Sequence, residues 1–175
     1  MRPQEKKNIN LPILKTAIIF FLVFFSFSYL YHIARNTLVE TLFIDIATVA
    51  PSAFLINIVN PDEVVHAVDH RLISKSVRLS VLNGCEGTET IFLIISSIIA
   101  FPTRWKHRLA GLFLGVVLIY TANQIRIVGL YFTLRYKHEW FSAAHGYIGP
   151  TAIIMIGCLY YIWWMRWPEK SARKP

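Results

Sequence analysis

Three residues far apart in the chain are of types that together perform acyl transfer: Cys85 in LNGCEGTET, Arg126 in TANQIRIVGLYFTLR and His145 in SAAHGYIGP. A cysteine thiolate is a nucleophile, and an imidazole beside it acts first as general base and then as acid. A guanidinium aimed at a developing oxyanion supplies the third part. Each residue also has a plainer reading. A lone cysteine is commonly a small buried hydrophobe, and a histidine beside glycine at the start of a helix is often a turn residue. An arginine in an apolar run can snorkel, or pair with Glu86 or Glu89 to hold helices together.

Arg126 is the most informative of the three. Apolar residues follow it as far as Arg135, which sets it roughly 13 Å deeper at the helical rise of about 1.5 Å per residue. An ionisable group at such depth is costly and marks a functional candidate with a partner. Asn123, nearly one turn earlier on a similar face, is placed to orient the guanidinium. Around Cys85, the flanking Gly84 and Gly87 permit close backbone approach. A helix N-terminus there would favour the thiolate, while Glu86 and Glu89 oppose it unless Arg126 or protonated His145 offsets their charge. Cys158, in IMIGCLYY, fits the buried-hydrophobe reading. Thiols at different depths, more than about 7 Å apart, do not bridge, so two free thiols are expected. His66 and His70, spaced i,i+4 in HAVDH, would share a helix face as a metal pair. No third ligand is evident, and neither a metal nor another cofactor is expected.

These residues sit in a chain that needs lipid. Of 175 residues, 55% are hydrophobic and 16% charged, against about 25% charged in a soluble domain. The net charge is +8, and its placement excludes a nucleic-acid binder, which gathers basic residues on one groove or face. Here most of the basic residues fall in three short stretches (Arg2 to Lys15, Arg104 to Arg108, Arg166 to Lys174) that contain only Glu5 and Glu169 as acids. That is the pattern of cytoplasmic segments. Spans of about 20 residues are expected at 13–31, 86–102, 109–134 and 150–167. The tails 1–12 and 168–175 and the loop 103–108 are then cytoplasmic, and 32–84 and 135–149 lie outside. Parity puts the apolar but interrupted segment 37–59 along the outer interface, or dipping in and returning, because an even number of crossings must separate two cytoplasmic segments. Asp62 would cap a short helix running to about Ile73, and Val77, Leu79 and Val81 alternate as a short strand before Cys85. The expected fold is a single all-α membrane domain of about four transmembrane helices, N-in and C-in, with an extracytoplasmic interfacial segment. Cys85, Arg126 and His145 then meet at the outer face.

At these residues the sequence resembles the exosortase/archaeosortase family of membrane-embedded cysteine transpeptidases. The likeness rests on Cys85-Glu86-Gly87, on Asn123-Gln124-Ile125-Arg126 within a span, and on His145-Gly146 before the last span, and covers roughly residues 80–162. Members often carry a small residue after the cysteine, where this chain has Glu86, and the chain resembles the compact variants. The resemblance implies a bacterial inner-membrane cysteine protease/transpeptidase that cleaves C-terminal sorting signals of exported proteins through a Cys85 thioester. Arg126 would stabilise the oxyanion and His145 move the protons, with Asn123, Glu86, Gly87 and Glu89 in support. Its partners would be proteins ending in a recognition motif, a transmembrane helix and a basic tail. Two other readings stand beside it: a non-enzymatic membrane scaffold with a structural Glu–Arg pair, and a membrane acyltransferase with Cys85 as acyl carrier.

Overall fold

The computed structural model describes residues 10–167; the tails expected at 1–12 and 168–175 lie outside it, save Asn10 to Pro12. Helix α1 (Asn10–Ile33) is 24 residues long, about 36 Å, enough to cross a hydrocarbon core of about 30 Å. Its phenylalanines stack at i,i+4 spacing, Phe20 on Phe24 and Phe21 on Phe25. Phe27 and Tyr31 near its end pack on Phe92 of helix α3 (Thr88–Ala100).

Helix α2 (Leu38–Val59) is one unbroken run of 22 residues, long and apolar enough to cross a membrane. Residues Leu42–Val49 are wound as π-helix. Pro51 has no N–H to return to the Ala47 carbonyl, and that carbonyl instead accepts from Tyr120 Oη at 2.8 Å and Gln124 Nε2 at 3.1 Å. Ser52 donates to Gln124 Oε1 at 2.6 Å. The proline thus frees a carbonyl that docks α2 on helix α4 (Trp105–Tyr136). The segment does not dip and return. Conversely α3 has only 13 residues, about 20 Å, so the four helices long and apolar enough to span are α1, α2, α4 and α5 (His138–Arg166). The loop expected at 135–149 is mostly the helical start of α5.

A helix is absent from 62–73. The chain makes a short 3₁₀ turn at Pro61–Glu63, and Val64 takes a left-handed φ of 45°. A three-stranded antiparallel sheet follows: β1 (His66–Val68), β2 (Arg71–Ile73) and β3 (Arg78–Ser80), in the order β1-β2-β3. Tertiary bonds override the helical signals. Asn57 grips both backbone groups of Val65, at 2.7 and 2.9 Å. Glu63, 6% exposed, accepts from Tyr131 Oη at 2.7 Å and Arg135 Nε at 2.8 Å. Those donors, with the Tyr131 hydroxyl foremost, hold its carboxyl below the usual range. His66 therefore lies in a strand and His70 in the hairpin turn, not on one helix face. The strand expected before Cys85 is β3.

Two cores divide the molecule into tiers. One gathers Ile94 and Ile98 of α3, Ile119 of α4, and Ile153, Tyr160 and Trp164 of α5. Close approach here needs glycine: a Cβ on Gly111 would sit 2.2 Å from Trp164 Nε1. The other core joins α2, the sheet and the C-terminal half of α4 through Ile44, Ile56, Leu72, Leu79, Ile127 and Tyr131. At 32 residues, α4 is about 48 Å long and runs through both tiers. The described residues are 78% helical, an all-α membrane fold carrying one small sheet among them. The turn bearing Cys85 lies where the tiers meet.

Candidate active site

Cys85 sits in a tight turn between β3 and α3, its N–H donating to the Leu82 carbonyl at 2.9 Å. Gly84 and Gly87 both take left-handed φ values, 94° and 80°. Gly87 is required twice over, because a Cβ there would lie 2.9 Å from Asn123 Cγ. Asn123, 1% exposed, fills that space and donates from Nδ2 to the Cys85 carbonyl at 3.0 Å. Its Oδ1 faces Arg126 Nη1 at 3.5 Å. One side chain therefore holds both the cysteine turn and the guanidinium.

Glu86 is buried and turned away from Arg126. Its Oε2 accepts from the Gly84 N–H at 2.6 Å, and its Oε1 accepts from Thr88 Oγ1 and from Tyr31 Oη, each at 2.9 Å. Its role is to clamp the turn. Glu89 is exposed, and among the described residues Arg126 forms an ion pair with neither acid. Cys85 also lies upstream of the α3 cap residue Gly87, so the helix N-terminus expected to activate it does not contain it. Burial pushes its thiol above the ordinary range, opposed by the positive charge of Arg126 and reinforced by Glu86. Burial thus favours the neutral thiol over the thiolate.

An imidazole is adjacent. His145 Nε2 is 3.9 Å from Cys85 Sγ. His145 does not occupy a turn; it lies in a π-helical turn, Ala144–Ile148, inside α5. Such bulges turn a side chain out of helical register. Its ring stacks on Phe141 with centroids 5.6 Å apart. Gly149, one turn on, leaves room for Arg126, whose Nε a Cβ would meet at 2.7 Å. Both Arg126 Nε and His145 Nδ1 are buried without a hydrogen-bond partner. Unpaired buried groups are rare in folded proteins, and two of those found here belong to residues gathered around Cys85. An apolar groove of about 350 Å³ between α4 and α5 opens at Arg126, lined by Ala122, Gly129, Ala152 and Ile156 among others.

The structure thus brings together Cys85, Arg126, His145, Asn123, Glu86 and Gly87, and leaves Glu89 out. Cys158 is a free, exposed thiol on α5, on the outer surface of the bundle and not in a core. Among the described residues no group of three or more His, Cys, Asp or Glu gathers as a metal site. Tyr31, Phe141 and Gly149 were not singled out from the sequence. Tyr31 reads as an aromatic at the end of a span. Gly149 carried a usable signal, a small residue where two membrane helices approach.

The fold is that of a multi-pass membrane protein, with a thiol and an imidazole 3.9 Å apart and a guanidinium held from the same turn through Asn123. The family model described as transmembrane exosortase (Exosortase_EpsH) matches residues 11–164, most of the chain, and the protein belongs to that family. No curated protein and no solved structure shows a significant match.

Proposed function

We propose that the protein is a cysteine transpeptidase that cleaves the C-terminal sorting signals of exported membrane-anchored proteins, with Cys85 as nucleophile. His145 Nε2 takes the thiol proton as Sγ attacks the scissile carbonyl, and the oxyanion forms beside Arg126. On collapse the C–N bond breaks, His145 returns the proton to the leaving amine, and the acyl group remains as a Cys85 thioester. An acceptor nucleophile, amine or water, then gives its proton to His145 and attacks the thioester carbon; the C–S bond breaks, His145 returns the proton to Cys85 Sγ, and the product leaves. The observation that carries this reading is the 3.9 Å contact between Cys85 Sγ and His145 Nε2, with Asn123 tying the same turn to Arg126.

The substrates would present a recognition motif, a transmembrane helix and a basic tail that stays in the cytoplasm. Cutting then occurs at the extracytoplasmic face of a bacterial inner membrane. A scaffold held by a Glu–Arg pair loses its premise, since neither Glu86 nor Glu89 pairs with Arg126. The test compares C-terminal peptides of membrane and secreted proteins in cells carrying wild type, Cys85→Ala or Cys158→Ala. Proteins that keep a C-terminal helix and basic tail only in Cys85→Ala support the proposal, and identical inventories in all three reject it. The mass of a trapped Cys85 adduct separates a peptide from a fatty acyl group, the mark of an acyltransferase.

A further inference from the structure

Among the described residues the His145 imidazole makes one polar contact and one ring contact. Its Nε2 lies 3.9 Å from Cys85 Sγ, and its ring lies on that of Phe141, 10° from parallel with centroids 5.6 Å apart. A histidine base is ordinarily oriented through its other nitrogen, by a third polar group. Here Nδ1 is buried with no hydrogen-bond partner among the described residues, so no carboxylate, amide or carbonyl fixes the ring. The torsion that turns an imidazole about its bond to Cβ is soft, and the plane is kept only where packing holds it. Phe141 is itself anchored. It sits four residues before His145 and is half-buried, packed on the core of α2, the sheet and α4 against which Cys85 also packs. That core therefore places the thiol directly and reaches the imidazole through Phe141.

We propose that Phe141 is the positioning residue of the site: its ring face, in place of a hydrogen-bond acceptor at Nδ1, keeps the His145 imidazole turned with Nε2 toward Cys85 Sγ. The inference rests on the reading of His145 as the base that takes the thiol proton. Offset, near-parallel aromatic rings at this separation attract one another, which selects one ring plane for the neutral imidazole. The negative face of the phenyl ring also attracts a cation, so the same contact holds the imidazolium formed once the thiol proton has moved. A flat aromatic side chain thus serves both protonation states without accepting a proton itself. A leucine at 141 would fill much of the same space and offer no face to either.

The test is a double-mutant cycle on the alkylation of Cys85 by iodoacetamide at neutral pH, with the full chain in detergent and Cys158→Ala as background. His145→Ala is expected to slow alkylation, because the neutral thiol loses the base beside it. Phe141→Leu is expected to slow it about two- to tenfold, and Phe141→Tyr, which restores the ring face, to recover the rate to within about twofold. Added to His145→Ala, Phe141→Leu has no further effect, because it acts only through the imidazole. Two results overturn the inference: a Phe141→Leu rate equal to the background, or the same slowing with and without His145, the mark of a merely structural residue. An unchanged rate in His145→Ala overturns the reading of His145 as base and the inference with it, which keeps the two failures apart. Should Phe141→Leu fail to fold, NMR of the otherwise wild-type chain with labelled histidine and phenylalanine decides. Close contact between the Phe141 ring protons and those of His145, the latter assigned by their loss in His145→Ala, supports the inference, and its absence overturns it.

Discussion

Tyr31, at the end of the first helix, donates its hydroxyl to the Glu86 carboxylate at 2.9 Å, across 55 residues of sequence. The bond joins the first helix to the residue following Cys85. Glu86 in turn holds the Gly84 N–H and the Thr88 hydroxyl, so the turn that presents Cys85 is built around a single buried carboxylate. Exosortases often have a small residue at this position. Here the larger side chain fills its space with hydrogen bonds.

Tyr31→Phe removes one of three donors to Glu86 and is expected to lower stability by about 0.5–1.5 kcal/mol. Glu86→Ala strands all three donors and loosens the turn. Alkylation of Cys85 in a Cys158→Ala background then accelerates while transpeptidation falls. An unchanged alkylation rate in both variants would show that the clamp does not position the thiol.

Gly149→Ala is expected to displace Arg126. The added Cβ meets Arg126 Nε at 2.7 Å and the Ala144 carbonyl at 3.0 Å. If Arg126 stabilises the oxyanion, its displacement costs up to about 10²–10³ in rate, with the protein still folded by thermal unfolding. Gly146→Ala, where a Cβ has nothing within 4 Å, is the matched control and stays near wild-type activity.

The reactivity of Cys85 depends on pH in a direction fixed by its surroundings. Burial disfavours the charged form and raises the thiol from its ordinary 9.0, so in the Cys158→Ala background its alkylation rate climbs through a midpoint above that value. Arg126→Gln removes the charge that favours the thiolate and moves the midpoint further up. Glu86→Gln removes a charge that disfavours it and moves the midpoint down. A midpoint below 7 would instead reveal a resting thiolate–imidazolium pair and contradict the role given to His145 as the base that must first take the proton.

Helix α2 is long enough to cross a membrane, yet both its ends are tied toward the same end of the bundle. Glu40 near its start accepts from Asn83 of the cysteine loop at 3.1 Å. Asn60 at its close meets Tyr136, the last residue of α4, at 3.5 Å. A reporter fused after Asn60 is therefore expected on the same side as one after Tyr136 and on the opposite side from one after Thr103. A reporter at Asn60 that matches Thr103 would make α2 a crossing and change the parity of the chain.

How much of this was legible in the sequence follows from which forces are local. Apolar runs longer than the bilayer is thick announce helices whatever surrounds them, so α1, α4 and most of α5 were readable. An arginine deep in such a run, with an asparagine one turn before it, announced a polar site, because lipid makes such groups too costly to carry idly. Glycines around Cys85 signalled a close approach, and Gly87 makes it. The reading failed where distant partners overrule local preference. Asp62 and the i,i+4 histidines suggested a helix, but Asn57, Tyr131 and Arg135 hold that chain as a turn and a hairpin. Glu86 and Glu89 looked equivalent as partners of Arg126, and neither is one.

The sequence by itself determined the solvent and the chemical types: a lipid-embedded helical chain carrying Cys85, the deep Arg126 and His145 in an order that matches a family. Tertiary structure decided how they meet. Only packing could place the His145 imidazole beside the Cys85 thiol across 60 residues, because that contact depends on a π-turn in α5, the room left by Gly149 and the reach of Asn123. None of these is specified by a residue's own neighbours.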